Sequence, residues 1–136
     1  METESTPVSD LMSTGLLTTS LDTAIEHAAE TLLTEGVGSL VVLDESGRLA
    51  GVLTSTDLVE IVSSGRIPGS ATVADYMTDD VTTVASTDTV HDAAVTMIRG
   101  DIQHLPVTEG DGEVVGMLSA TDLTAQLTYM ASRGTD

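Results

Sequence analysis

The sequence predicts a mixed α/β (α+β) fold in which one β-α-β-β-α unit occurs twice, and two observations carry this prediction. Residues 8–58 align with residues 73–123 without a gap at a constant offset of 65, with 15 identities in 51 positions. Within each copy, short apolar runs typical of strands flank a segment whose small and aliphatic residues recur at helical spacing. A repeat of this length indicates two copies of one structural unit.

The domain boundaries follow from this alignment. The first copy covers residues 8–62, and the second covers residues 73–130. Residues 63–72 are rich in serine and glycine and contain a proline, so they are predicted to be a linker. A chain of 136 residues is long enough for such a pair to bury a core.

The elements of each copy follow in the same order. A short strand is expected first, and a helix that begins near an aspartate follows it. This helix is expected to bury pairs of adjacent apolar residues that recur every four residues, and the pairs include Leu32/Leu33 and Met97/Ile98. A strand, a glycine-containing turn and a second strand come next, and then a further helix. The predicted segments are Leu16–Thr19, the helix from Asp22, Leu40–Leu43, Leu49–Leu53 and the helix from Ser55; in the second copy, Val81–Val84, the helix from Asp88, Leu105–Thr108, Val114–Leu118 and the helix from Ala120.

The composition excludes several classes of function. The chain has 22 acidic residues against four arginines and no lysine, which gives a net charge of −18. No cationic surface for nucleic acid or for an anionic membrane can be assembled from so few positive charges. Because 40% of the residues are hydrophobic, the acidity is not that of a disordered tail. Acidic residues spread over both copies suggest a halophile-type acidic protein from a high-salt cytoplasm.

Cysteine is absent, so disulfides, thiolate–zinc sites and cysteine nucleophiles are excluded. The first residues have neither a basic region nor an apolar core typical of a signal peptide, and no apolar stretch approaches the length of a membrane helix. We therefore expect a cytoplasmic protein. No cluster of metal-ligating residues and no catalytic constellation stands out.

The segment that joins the last strand to the last helix carries the most chemical information. It reads Gly51-Val-Leu-Thr-Ser-Thr-Asp57 in the first copy and Gly116-Met-Leu-Ser-Ala-Thr-Asp122 in the second. Thr54 with Asp57, and Ser119 with Asp122, have the spacing of a capping box, which alone would account for the pattern. A helix N-terminus also attracts phosphate, and an aspartate can accept hydrogen bonds from a ribose diol. The two interpretations are compatible.

These junction segments, together with Val8-Ser-Asp-Leu-Met12, Val73-Ala-Asp-Tyr-Met77 and His104-Leu-Pro-Val107, resemble a tandem pair of cystathionine-β-synthase (CBS) domains. The resemblance covers about residues 8–123. It implies two three-stranded sheets with paired helices, packed by pseudo-twofold symmetry into one Bateman module. It also implies two clefts between the repeats that take AMP, ADP, ATP or S-adenosylmethionine.

The resemblance also implies roles for particular residues. Asp57 and Asp122 match the ribose-contacting acids, and Thr18 and Thr83 lie in the strands that face adenine. The remaining matches are phosphate or ribose contacts at Thr54, Thr56, Ser119 and Thr121, and the positions before the central strand at Gly38, Ser39, Gln103 and His104. One cleft is expected to group Asp57 with Thr83, Gln103 and His104; the other is expected to group Asp122 with Thr18, Gly38 and Ser39.

The shortage of positive charge in the chain limits which adenosyl ligands are expected to bind. With no lysine, His104 is the best candidate for a phosphate partner, although it is only partly protonated at neutral pH. A monophosphate, a Mg²⁺-bridged nucleotide or cationic S-adenosylmethionine is therefore easier to accommodate than free ATP.

The functional hypothesis is a stand-alone regulatory module that binds an adenosyl ligand and responds by a change of shape or of assembly. A homodimer is expected, because the resembled family commonly dimerises through its helices, and an effector protein would be recognised in trans. The alternative is a structural or protein-interaction module whose ligand sites are vestigial. An enzyme is not expected, because two repeats leave no segment for a catalytic domain.

Overall fold

The structure is a computed structural model that describes residues 6–65 and 69–134, with side chains described through residue 128. Residues 66–68 of the predicted linker lie outside the described residues. In chain order, the elements are a 3₁₀ helix Val8–Asp10, β1 Thr18–Ser20, α1 Ile25–Glu35, β2 Ser39–Leu43, β3 Leu49–Thr54, α2 Ser55–Ser63, α3 Val73–Tyr76, β4 Val84–Ala85, α4 Val90–Gly100, β5 His104–Glu109, β6 Glu113–Ser119 and α5 Ala120–Gly134.

The chain forms two compact units, each built on one of the repeats. The first-repeat unit is Leu16–Val81, and the second-repeat unit combines Met1–Gly15 with Thr82–Asp136. Each unit has a three-stranded sheet, in the order β1-β2-β3 or β4-β5-β6. In both sheets the first strand is parallel to the second, and the second is antiparallel to the third. The predicted α+β class and the repeated β-α-β-β-α order are confirmed.

One helix stripe in each unit packs on the sheet. In the first-repeat unit, Ile25, Ala28 and Leu32 of α1 lie against Leu40 and Leu53 of the sheet. In the second-repeat unit, the stripe of α4 is Val90, Ala93 and Met97. The prediction that Leu33 and Ile98 also lie in the core is wrong: their side chains are 84% and 79% exposed. Each sits one residue beyond the stripe, a rotation of about 100° around the helix.

The first strands and helices begin later than predicted. Helices α1 and α4 start at Ile25 and Val90 rather than near Asp22 and Asp88. The two aspartates instead hold the preceding loop, since Asp22 accepts a hydrogen bond from the Ser20 hydroxyl and Asp88 accepts one from the amide of Ala85. The local hydrogen bonds of an aspartate compete with helix formation in this way.

A short segment at the start of each repeat completes the unit built on the other repeat. We call residues 6–13 the N-terminal strap and residues 71–78 the central strap. Ser13 of the N-terminal strap pairs with Met117 of β6, and Thr78 of the central strap pairs with Val52 of β3. The two sheets therefore each gain a strap at the outer side of their last strand, where backbone groups would otherwise be unpaired.

Candidate functional site

The first strand-to-helix junction is closed by two reciprocal hydrogen bonds. Thr54 ends β3 in an extended conformation and caps α2. Its amide donates to Oδ2 of Asp57 at 2.8 Å, and the amide of Asp57 donates to the Thr54 hydroxyl oxygen at 3.2 Å. This is the capping box that the spacing predicts, because the hydroxyl and the carboxylate each satisfy an amide that the helix leaves unpaired.

The second junction repeats this geometry. The amide of Ser119 donates to Oδ2 of Asp122 at 2.8 Å, and the amide of Asp122 donates to the Ser119 hydroxyl oxygen at 3.1 Å. Both aspartates are half-buried, as are Thr54 and Ser119. The same bonds, made through the same carboxylate oxygen, therefore occur in both units.

The residues before the central strand lie beside the junction of their own unit. The amide of Ser55 donates to the carbonyl of Gly38, and the amide of Ala120 donates to the carbonyl of Gln103, both at 3.0 Å. Next along the chain, Ser39 is paired with Thr54, and His104 is paired with Ser119. The structure thus brings together eight predicted site residues in two sets of four: Gly38, Ser39, Thr54 and Asp57; and Gln103, His104, Ser119 and Asp122.

His104 is the one titratable side chain in these two sets besides the aspartates. It is half-buried at the start of β5. Burial lowers the pKa of its imidazole below 6.5, and the nearby carboxylate of Asp122 only partly opposes that effect. The neutral imidazole therefore dominates at pH 7, which makes His104 a weaker cationic phosphate partner than its sequence position suggests.

The other four predicted threonines occupy more exposed positions. Thr56 and Thr121 lie in the first turns of α2 and α5, and both are exposed. Thr18 is the first residue of β1, and Thr83 immediately precedes β4. Thr18 also lines a groove of about 460 Å³ with His27 and Asp44, and it is the one predicted site residue among the described lining residues.

Asp57 borders a cavity whose lining the sequence did not predict. The cavity measures about 270 Å³ and is lined by Asp57, Glu60, Ile61, Ser64 and Tyr76. Tyr76 belongs to the central strap, at the start of the second repeat. Alignment of the repeats pairs it with Leu11, so nothing in the pattern marks it as a neighbour of Asp57.

The described residues contain no group of three or more His, Cys, Asp or Glu side chains that could hold a metal ion. Across the same parts of the chain, every helix is too short or too polar to span a bilayer.

The fold and the paired junctions define a protein made of two α+β repeats with matching polar junctions. Comparison with known families gives that class its name. The CBS domain family matches residues 8–64 and 73–129, so the chain belongs to the CBS domain family and carries a tandem pair of these domains.

Individual relatives are similar to most of this chain. An uncharacterised 17.7 kDa protein of Acidianus ambivalens is 33% identical over 122 residues, which cover 90% of this chain and 73% of that protein. Other curated relatives are longer, and the chain spans 41% and 57% of two of them.

Two solved structures are similar over nearly the whole chain. The CBS domain pair of protein MJ0100, in complex with 5′-methylthioadenosine and S-adenosyl-L-methionine, is 26% identical with a TM-score of 0.85, covering 92% of this chain and 98% of that one. CBSX2 in complex with AMP is 25% identical with a TM-score of 0.82, covering 93% and 98%.

Proposed function

We propose that this protein is a regulatory module that binds an adenosyl ligand at its strand-to-helix junctions and signals through a change of conformation or assembly. The observation that carries the proposal is the recurrence, in both units, of a half-buried aspartate whose Oδ2 holds the helix cap at 2.8 Å. The CBS pair of MJ0100 binds 5′-methylthioadenosine and S-adenosylmethionine, and CBSX2 binds AMP, which supports an adenosyl ligand as the chemical class.

The junction chemistry suits a ribose. Because the cap bond uses Oδ2 of Asp57, its Oδ1 retains lone pairs that can accept from the 2′- and 3′-hydroxyls. The same holds for Asp122. The Thr54 and Ser119 hydroxyls accept from the helix amides, and their own protons can be donated to a ligand oxygen.

The charge of the site favours a ligand with little negative charge. Lysine is absent from the chain, and burial keeps the imidazole of His104 mostly neutral at pH 7. Free ATP would bring about four negative charges to a protein of net charge −18. S-adenosylmethionine, AMP or a Mg²⁺-bridged nucleotide carries less uncompensated charge.

We infer that Asp57 and Asp122 contact the ribose and that Thr18 and Thr83 face adenine, as the family resemblance implies. The positions that would meet the phosphate are Gly38, Ser39, Gln103 and His104. Thr56 and Thr121, in the first helical turns, would contact the phosphate or ribose.

A homodimer is the proposed assembly, and exposed aliphatic side chains support it. Leu33 of α1 and Val62 of α2 are 84% and 67% exposed, and their equivalents in the second repeat, Ile98 and Leu127, are 79% and 69% exposed. Scattered exposed apolar residues are normal, but recurrence at equivalent positions in two repeats is typical of an apolar interaction surface. A twofold dimer would bury these positions against a second copy.

The cellular setting is likewise part of the proposal. We infer a cytoplasmic regulatory protein, not an enzyme, that acts on an effector protein in trans and is adapted to high salt through its acidic surface. The acidic composition and the family membership support this inference.

The alternative is an interaction module with vestigial ligand sites. One observation favours it: the capping boxes by themselves account for the spacing of Thr54 with Asp57 and of Ser119 with Asp122. In that case the aspartates stabilise the helices and bind nothing else.

Calorimetric titration distinguishes the two functions. The chain in molar KCl is titrated with AMP, ADP, ATP with and without Mg²⁺, and S-adenosylmethionine. We expect saturable binding of at least one adenosyl ligand, and weaker binding of free ATP than of AMP or S-adenosylmethionine. Asp57→Asn or Asp122→Asn should weaken binding roughly 10- to 100-fold, because each replaces a charged acceptor of a ribose hydroxyl by an amide.

The asparagine variants separate ligand binding from capping, since the amide oxygen still accepts the cap bond. Asp75→Asn is a matched control, because Asp75 closes a capping box on Thr72 with a bond of 2.9 Å but is not a predicted site residue. Absence of binding by every ligand would establish the vestigial alternative. Undiminished binding in both junction variants would instead reject the aspartates as ligand contacts.

A further inference from the structure

The two straps make the same set of backbone bonds in the two units. At one end, Ser13 and Met117 exchange two amide-to-carbonyl bonds of 2.8 and 2.9 Å, and Thr78 and Val52 exchange two of 2.9 and 3.0 Å. Such a reciprocal pair is the unit of an antiparallel ladder.

The other end of each strap is held by the loop before the first helix. The amide of Val8 donates to the carbonyl of Asp88, and the amide of Val90 donates to the carbonyl of Thr6, both at 2.8 Å. The equivalent bonds of the central strap run from Val73 to Thr23 at 2.9 Å and from Ile25 to Ala71 at 3.1 Å. Each bond has its counterpart 65 residues away.

Two apolar side chains fix each strap from the side. Val8 and Val73 are fully buried in the cores of the second-repeat and first-repeat units. Four residues later a methionine lies over a glycine of the last strand: a Cβ on Gly116 would stand 2.5 Å from Sδ of Met12, and one on Gly51 would stand 2.7 Å from Sδ of Met77. Each glycine therefore leaves the space that a methionine fills.

The occupied surface thus has three parts: a pocket for a valine, an open strand edge, and a glycine notch for a methionine four residues on. These are the features by which folded domains bind an extended peptide, with main-chain bonds for affinity and side-chain pockets for specificity. In the second-repeat unit, moreover, the strap is separated in sequence from β4 by the whole first repeat. Its recognition depends on these contacts and not on local chain continuity.

We propose that each unit contains a peptide-binding groove, selective for a segment with valine and methionine four residues apart, which this chain fills with its own strap. The groove of the second-repeat unit, formed by the edge of β6 and the loop of residues 86–89, accepts such a segment from a separate peptide when the N-terminal strap is weakened. This proposal is independent of the adenosyl site.

The test weakens the strap in the full chain and supplies the segment in trans. Val8→Ala with Met12→Ala removes the two anchoring side chains and should lower Tm by roughly 5–15 °C. A synthetic peptide of residues 4–15, added at millimolar concentration, should restore at least half of that loss. A peptide of residues 69–80, which carries Val73 and Met77, should restore it in part because the two grooves share their features.

Two controls make the result specific. A residue 4–15 peptide carrying Val8→Asp and Met12→Asp should not restore Tm. The Ile102→Ala chain is destabilised in the same core while its strap stays intact, so the wild-type peptide should leave its Tm unchanged. Met12→Ala alone serves if the double variant does not fold.

Failure of the wild-type peptide to raise the Tm of a folded strap variant would overturn the proposal. An equal rise in the Ile102→Ala chain would overturn it too, because the peptide would then stabilise the protein without filling the groove.

Discussion

Replacement of a serine by a histidine is the main chemical difference between the two junctions. At the first junction Ser39 is paired with Thr54, and at the equivalent position of the second junction His104 is paired with Ser119. Burial lowers the pKa of His104 in the folded chain below the 6.5 of an unfolded histidine. As pH falls through 6.5, the histidine of the unfolded chain therefore takes up a proton while the buried His104 of the folded chain stays neutral. Proton uptake favours the unfolded chain, so the free energy of unfolding decreases as pH falls.

We expect the Tm of the wild-type chain to fall more between pH 7.5 and 5.5 than that of His104→Ser, which places the residue of the first junction at the second. Differential scanning fluorimetry in constant molar KCl measures the difference. His91→Ser, at an exposed position of α4, should keep the wild-type slope. Parallel slopes for the wild-type and His104→Ser chains would contradict the expectation.

Single residues also show what could be predicted from sequence. The bonds between Thr54 and Asp57 follow from their spacing, because a capping box is local. The lowered pKa of His104 does not, because the burial of its imidazole depends on tertiary packing and not on local spacing. At the start of the straps, Thr72 donates its amide to Asp75, whereas Pro7 at the equivalent position has no amide to donate. That difference accompanies a 3₁₀ turn in one strap and an α-helical turn in the other.

Among the elements, the two longest helices of each unit carry the proposed dimer surface. Helix α1 contacts α2, and α4 contacts α5. Each pair exposes one aliphatic residue per helix at equivalent positions. A charge placed there would be desolvated in the dimer without a partner, a cost that the monomer does not have.

Sedimentation velocity in molar KCl should show a dimer for the wild-type chain. Leu33→Asp with Ile98→Asp should shift it to a monomer, with a dissociation constant raised 100-fold or more, which corresponds to about 3 kcal/mol. Thr34→Asp, an exposed neighbour on α1, provides the control for added charge and should leave the dimer intact. A monomeric wild-type chain at high concentration would exclude the proposed assembly.

The order of the elements was predictable because the spacing of apolar residues differs between strands and helices. The hairpins and the starts of α2 and α5 also follow from local signals. The sequence did not predict which side of α1 is exposed. Leu32 and Leu33 are identical in type, and the sequence alone cannot choose which of the two faces the sheet when the stripe is narrow. Packing of Leu32 against the core decides it.

At the scale of the whole molecule, the repeat in the sequence and the compact unit in the structure differ in their bounds. Residues 8–13 belong by sequence to the first repeat, yet Val8 lies in the core of the second-repeat unit. The alignment shows that the two straps are equivalent, but equivalence does not reveal which sheet each one joins. That choice rests on contacts between residues about 80–105 positions apart, such as those of Val8 with Asp88 and of Ser13 with Met117.

The net charge of −18 is a property of the whole molecule, and it predicts a dependence of stability on salt. At about 0.1 M salt, charges within about 10 Å repel one another, while at 1 M the screening length falls to about 3 Å. Raising KCl from 0.1 to 2 M should therefore increase Tm by roughly 6–10 °C, the shift that about 2 kcal/mol produces in a chain of this size.

Neutralising exposed acids with Asp79→Asn, Asp80→Asn and Asp111→Asn should reduce that increment of Tm by relieving repulsion already present at low salt. An equal increment in both chains would assign the effect to water withdrawal by concentrated salt rather than to the charge, and sucrose at matched water activity would then reproduce it.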